Sequence, residues 1–167
     1  MPNDSDRRDT IIGDSGPLIA LAIISQLDLL RRLYRRVIIP QAVWDEITVD
    51  GIGLPGAADV RKLDWIEIQQ PDAREVQPFT ILIDRGEAQA IALALTQPGC
   101  TVLLDDAQAR RVAERFGLNR IGTLGLLRRA KKAGHIDAIK PLIHVLQANG
   151  IYIRQALVDA VLHDVGE

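Results

Sequence analysis

The strongest constraint on the fold is an alternation along the chain. Short apolar, largely β-branched runs are separated by segments of helical character. Thr10-Ile11-Ile12-Gly13 predicts a first strand, and Arg36-Val37-Ile38-Ile39-Pro40 a second that stops at proline. Trp65 to Ile68 alternates like a third, Thr101-Val102-Leu103-Leu104 is a buried fourth, and Asn119 to Gly122 carries a short fifth. Between them, PLIALAIISQLDLLRRLY follows Gly16 with proline suited to a first helical turn, and is long enough for two helical pieces. QAVWDEI predicts a helix turn bearing Glu46, ADVRKL a short helix, and DRGEAQAIALAL a helix rich in good formers. AQARRVAERFGL predicts a helix closed by Gly117, and TLGLLRRAKKAG one closed by Gly134. Two more helical stretches follow near 139–148 and 154–163. Residues 50–58 and 71–78 are expected to be loops, and the polar residues 1–10 a disordered end. Residues 11–167 then form a single domain of α/β class, with a mainly parallel sheet covered on both faces.

Composition narrows what such a sheet can do. The chain has 167 residues, 47% hydrophobic and 25% charged, which suits one domain with a core and excludes a disordered chain. Its longest apolar stretch, from Pro17 to Ser25, is far short of the roughly 20 residues that span a bilayer. The polar start argues against a secretory signal. One cysteine, Cys100, excludes a disulfide framework and fits a reducing cytoplasm. With three histidines (His135, His144 and His163) and that cysteine, no zinc-ligand spacing exists. No G-x-G-x-x-G follows a strand, and no phosphate-binding G-x-x-x-x-G-K-[ST] or nucleophile elbow is present.

What remains is carboxylates at corresponding places in the alternation. Asp14 ends the first strand, Glu46 lies in the helix after the second, Glu87 opens the alanine-rich helix, and Asp105 and Asp106 end the fourth strand. Parallel strands put their C-terminal ends along one edge, where ligand sites form, so residues distant in sequence are expected to converge there. Burying several unpaired carboxylates costs several kcal/mol, so something positive must compensate. Ligands that are all hard oxygen select Mg²⁺ or Mn²⁺, ions that clamp a phosphodiester and generate a hydroxide for in-line attack.

Each acid also has a structural reading. Asp14, Asp105 and Asp106 precede helices, where aspartate is a favoured N-cap worth about 1 kcal/mol. Asp84 and Glu87 form a D-x-x-E capping box. Capping accounts for an acid at each helix start, but not for a second like charge in the Asp105-Asp106 pair.

The ordered strings GDSGPLIAL, IIPQAVWDEI, DRGEAQAIALA, LLDDAQARRVAERFGL and GTLGLLRRAKKAG resemble the PIN domain, and more closely the small prokaryotic PIN-like proteins related to VapC-type toxins. The likeness runs from about Ile11 to the C-terminal end. It implies a three-layer α/β/α sandwich and a metal-dependent ribonuclease. Asp14 matches the first-strand aspartate, Glu46 the early glutamate, and Glu87 the acid opening the central helix. Asp105-Asp106 matches the last acid, with the ligand being either of the two. Glu87 stands where many PIN domains carry aspartate, and Asp105 where many carry asparagine or threonine. The Ser15 hydroxyl and Thr123 are candidate secondary contacts, Thr123 with an ordinary helix cap as its other reading. The implied assignment is Asp14, Glu87 and Asp105 or Asp106 on the metal, and Glu46 on it directly or through water. The resemblance also implies RNA as substrate, a homodimer and, for toxin members, an antitoxin partner. The alternative is a catalytically inactive PIN-like module that binds RNA or protein.

Charge distribution bears on RNA binding. The net charge is −2, yet residues 37–89 hold ten acids against four bases, and residues 107–132 hold eight bases against one acid. Arg31, Arg32, Arg35 and Arg36 form one basic cluster, and Arg128, Arg129, Lys131 and Lys132 another. They are read either as phosphate contacts or as solvated helix faces. Aromatic residues are only 4%, too few for a stacking platform, and Trp44 and Trp65 are assigned to the core or a dimer contact.

Overall fold

The computed structural model describes residues 8–167. In chain order the elements are β1 (Arg8–Gly13), α1 (Ser15–Ile23), α2 (Leu29–Leu33), β2 (Tyr34–Pro40) and α3 (Gln41–Asp45), which runs on into a π-helical turn over Glu46–Asp50. Next come α4 (Ala57–Arg61), β3 (Ile66–Gln69), α5 (Ala73–Val76), a 3-10 turn over Gln77–Phe79, α6 (Arg85–Leu95) and β4 (Thr101–Leu103). The chain closes with α7 (Ala107–Arg115), β5 (Asn119–Ile121), α8 (Thr123–Lys132), α9 (Lys140–Ala148) and α10 (Gln155–Val165).

The five strands form one sheet in the order β3-β2-β1-β4-β5, every pair parallel. Period-two side-chain alternation divides the apolar residues between the two faces. Ile11, Val37, Ile39 and Leu103 join α1, α2 and α8 to α10 on one side. Ile12, Ile38, Val102 and Leu104 meet α6 and α7 on the other. Three layers, α/β/α, result, as the alternation of elements requires. The inner strands β2, β1 and β4 are buried on both faces over Val37–Pro40, Ile11–Gly13 and Thr101–Leu103, which is why they read as unbroken apolar runs. Trp44 and Trp65 pack, half-buried, against the first of these cores.

Three expectations need adjustment. The disordered end was expected to reach residue 10, but Arg8 and Thr10 already pair with Tyr34 and Arg36 in the sheet, and residues 1–7 lie outside the described region. Tyr34, expected at the end of a helix, is the fully buried first residue of β2. The segment 71–78, expected to be loop, holds α5 and the start of the 3-10 turn. There the Asp72 side chain accepts from the Arg74 N–H (2.8 Å) and caps a single turn too short to show a periodic pattern.

The strand order fixes where a site can form. From β1 the chain moves outward through β2 to β3, then returns to the other side of β1 to lay down β4 and β5. The order therefore reverses between β1 and β4, and open parallel sheets bind ligands at the C-terminal ends of the strands flanking such a switch point.

Candidate active site

Asp14 follows β1 at this switch point. Gly13 stands in register with Leu103 of β4, and the Asp14 N–H donates to the Leu103 carbonyl (3.3 Å). Asp14 occupies the N-cap position of α1 with extended backbone angles, but its side chain makes no capping hydrogen bond. Its Oδ1 is buried and has no hydrogen-bond partner among the described residues. Capping therefore does not explain this aspartate. Burial pushes its carboxyl up to about 8, the Ser15 backbone N–H draws it partly back, and Glu87, Asp84 and Glu46 push it further by charge repulsion. Ser15 itself is buried beside it as the first residue of α1.

Glu87 comes from α6. The expected capping box is present: the Glu87 N–H donates to Asp84 Oδ1 (2.8 Å) and the Asp84 N–H donates to Glu87 Oε2 (3.2 Å). The box uses Oε2 and leaves Glu87 Oε1 without a hydrogen bond to the described residues, and Glu87 is 7% exposed. Burial raises its carboxyl to about 7, reinforced by the charges of Asp84, Asp106 and Glu46. Asp84, read in the sequence only as a cap, thus adds negative charge to both buried acids. Its capping role hid that contribution, and only its position beside Glu87 could have signalled it.

Glu46 arrives on the π-helical turn. Such turns are rare and concentrate at functional sites, because the extra residue redirects a side chain. This one is held from both sides: the Thr48 hydroxyl donates to the Trp44 carbonyl (2.8 Å), and the Arg61 guanidinium donates to the Thr48 carbonyl. The helix before it is tied to α6, where Gln89 Oε1 accepts from the Ala42 N–H (2.9 Å). Glu46 then faces Asp14 across Gly86. A Cβ at position 86 would stand 3.3 Å from Glu46 Oε2 and 3.4 Å from Asp14 Oδ1, so the glycine leaves open the space between the two carboxylates.

The Asp105-Asp106 pair divides its work. Asp105 Oδ1 accepts from the Thr123 N–H (2.8 Å), and Oδ2 from the Thr123 hydroxyl (2.5 Å). Gly122 makes room for this clamp, since a Cβ there would fall 2.9 Å from Asp105 Oδ1. Both Asp105 oxygens are thereby engaged in fixing the start of α8, and Thr123 contacts Asp105 rather than the buried acids. Asp106 caps α7 through Oδ2, which accepts from the Ala109 N–H (2.9 Å), and its charge reaches Glu87. Asp106 is the member of the pair that belongs to the acid group. Asp105, through these bonds, braces the β4–α7 turn against the β5–α8 turn.

The structure therefore brings Asp14, Glu46 and Glu87 together, with Asp84 and Asp106 in electrostatic range. Among the described residues, no three His, Cys, Asp or Glu side chains are already drawn together as a metal-ligand group. Asp14 and Glu46 flank the space beside Gly86, and Glu87 is coupled to Asp84, Asp106 and Glu46 through charge. The donor set still fits a hard divalent cation: it is all carboxylate, one buried oxygen has no partner, and a backbone gap lies between two of the acids.

The basic clusters are largely occupied elsewhere. Arg31 and Arg32 pair with Asp28, and Arg36 with Glu67 (2.7 Å). Arg128 and Lys132 pair with Asp164, Lys131 pairs with Glu167 (2.9 Å), and Arg129 donates to the Tyr34 hydroxyl. These contacts favour the reading as solvated, ion-paired faces over phosphate contact. No helix among the described residues is long and apolar enough to cross a membrane.

Comparison with known proteins agrees with this architecture. A family model for the PIN domain matches residues 10–167. No curated protein matches the chain. PIN domains are in general nucleases and typically use divalent metals. With a family match over nearly its whole length and an all-parallel α/β/α fold, the chain belongs to the PIN domain family.

Proposed function

We propose that the protein is a Mg²⁺- or Mn²⁺-dependent endoribonuclease that hydrolyses RNA phosphodiester bonds. The observation carrying this reading is Asp14 Oδ1, a buried carboxylate oxygen with no hydrogen-bond partner, facing Glu46 across Gly86. A carboxylate left unpaired in a protein interior is costly unless a cation or proton answers it. Asp14, Glu87 and Asp106 would hold the ion, with Glu46 holding it directly or through water. When bound, such an ion supplies positive charge to the phosphodiester oxygens and lowers the pKa of an attacking water. The chain's own acids keep that ion in register: the capping box aims Glu87, the π-helical turn delivers Glu46, and the Asp105–Thr123 clamp fixes the turn that carries Asp106.

Purified protein is expected to cleave single-stranded RNA on addition of Mn²⁺, to gain thermal stability from the same ion, and to lose both in Asp14→Asn. Equal cleavage by wild type and Asp14→Asn would remove Asp14 from the mechanism. No cleavage together with no thermal shift at millimolar Mn²⁺ would favour an inactive binding module. The likeness to VapC-type proteins extends the proposal to a homodimer restrained by an antitoxin. Sedimentation tests the first, and co-purification with the product of a neighbouring reading frame tests the second.

A further inference from the structure

A second concavity opens one helix face away from the acids. It is a cavity of about 320 Å³ at the C-terminal end of β3, between α5 with its 3-10 turn and the first turns of α6. That size lies at the lower end of small-molecule sites, the scale of a single nucleobase. Pro71 and Val76 are buried and give its lining an apolar surface against which a flat ring can lie.

Gln89 supplies the polar contact. Its side chain is 3% exposed, and its orientation is fixed because Oε1 accepts from the Ala42 N–H (2.9 Å). That bond assigns the amide, so the Gln89 atom left for the cavity is the NH₂ group, a donor that makes no hydrogen bond to the described residues. Arg85 stands one helical turn earlier on the same face, exposed, with no ion pair or hydrogen bond among the described residues. Glu87 lies between the two on α6 and belongs to the acid group, so cavity and acids share one turn of helix.

We propose that this cavity is a nucleobase subsite for the RNA substrate, selecting a base that presents a carbonyl oxygen while Arg85 receives an adjoining phosphate. The proposal rests on the ribonuclease reading for its substrate class. A carbonyl oxygen accepts from the Gln89 NH₂ with a lone pair to spare, as O4 of uracil or O6 of guanine does. Adenine has no carbonyl oxygen, and its edge acceptors N1 and N7 each lie beside its own amino donor, so it meets that NH₂ less well. Gln70 and Gln77, exposed amides also lining the cavity, can complete the edge contacts.

The test separates the two readings. Metal-free wild-type protein is titrated with the four ribonucleoside 5′-monophosphates while the glutamine side-chain amide signals are followed by NMR. Uridine and guanosine monophosphates are expected to bind about three- to tenfold more tightly than adenosine monophosphate, the range one hydrogen bond supplies, and to move the Gln89 amide signal. Ala73→Trp, placed on the exposed rim to fill the cavity, is expected to abolish that binding with the thermal melt unchanged. Arg85→Ala is expected to weaken all four alike. With Mn²⁺ present, Ala73→Trp should flatten any base preference in cleavage of oligonucleotides that differ at one position. Equal binding of all four nucleotides, an unmoved Gln89 signal, or an unaltered preference in Ala73→Trp would overturn the subsite even if RNA is cleaved. Keto-selective binding without any Mn²⁺-dependent cleavage would uphold the cavity's ligand and remove the nuclease.

Discussion

Asp14 is held in a state that folding alone disfavours. Burial pushes its carboxyl up to about 8, against 3.8 for an unperturbed aspartate. Between those values the folded protein keeps a proton that the unfolded chain releases, so metal-free stability falls as pH rises from about 4 toward 8. Asp14→Asn removes the ionisation. At pH 8 in a chelator the variant is expected to be more stable than wild type by a few kcal/mol, since each tenfold change in proton affinity is worth about 1.4 kcal/mol, with the gap shrinking toward pH 5. Thermal or urea melts across that range check it, and a variant no more stable than wild type at pH 8 would show that Asp14 is not charged at a cost. With Mn²⁺ the order should reverse, since the ion stabilises only the intact carboxylate set. Gly86 makes the complementary prediction. Alanine there places a methyl group between Asp14 Oδ1 and Glu46 Oε2, and within 3.1 Å of Val43 Cγ2. Because neighbours need yield only by tenths of an ångström, Gly86→Ala is expected to fold while losing most Mn²⁺ binding and cleavage. A titration by thermal shift reads the first and an RNA assay the second. Which acids could gather was legible from their places at strand ends and helix starts. Which of them were already engaged was not, because Asp14 and Asp106 both sit at N-cap positions and only one of them caps.

Elements position these side chains through contacts made between turns. The β4–α7 turn is tied to α8 by Asp105 and Thr123, and Arg110 adds a hydrogen bond to the Leu104 carbonyl (2.9 Å). Thr123→Val removes the hydroxyl while keeping the N–H bond to Asp105. It is expected to cost about 1 kcal/mol in denaturant unfolding, the scale of one hydrogen bond. Asp105→Ala strips both bonds and should cost more, and it should weaken Mn²⁺ binding indirectly by loosening Asp106. If Asp105→Asn, which retains an acceptor for the Thr123 N–H, bound Mn²⁺ as poorly as Asp106→Asn, the brace assignment would fail and Asp105 would be a ligand. The same scale shows why strands were easier to anticipate than short helices. Four of the five strands are bounded by glycine, proline or acid signals and carry β-branched runs, whereas α5 is a single turn whose only marker is Asp72. The π-helical turn under Glu46 leaves no trace in QAVWDEI, because it is fixed by residues beyond that string: a bond from Arg61 of α4 and a local one from Thr48 back to Trp44. The capping box at Asp84, a purely local pattern, was fully legible.

At the scale of the molecule, topology decides which acids meet, and charge decides where the proposed RNA substrate would be held. Placing β1 between β2 and β4 brings Asp14 beside Leu103, about ninety positions away, at the point where the strand order reverses. The alternation of elements implied this sheet; the order of its strands had to be seen. Charge behaves differently. The basic excess over residues 107–132 suggested a phosphate-binding stretch, but of its four α8 members Arg128, Lys131 and Lys132 are answered by Asp164 and Glu167, an acidic complement that counting over a window misses, and Arg129 donates to the Tyr34 hydroxyl. The two pairs on Asp164 are half-exposed and add little to stability, but they engage the side chains that would otherwise reach a phosphate. RNA affinity should accordingly not depend on those side chains. Removing one side chain that touches a phosphate of a single-stranded ligand lowers the slope of log affinity against log salt by about 0.7. Arg128→Ala combined with Lys132→Ala is therefore expected to leave that slope unchanged, whereas Arg85→Ala lowers it by about one such step. Filter-binding titrations over a range of salt concentrations measure both. A slope reduced by the α8 pair and untouched at Arg85 would move the RNA track from the edge beside α6 to the far face of α8, and would separate RNA binding from the acids altogether.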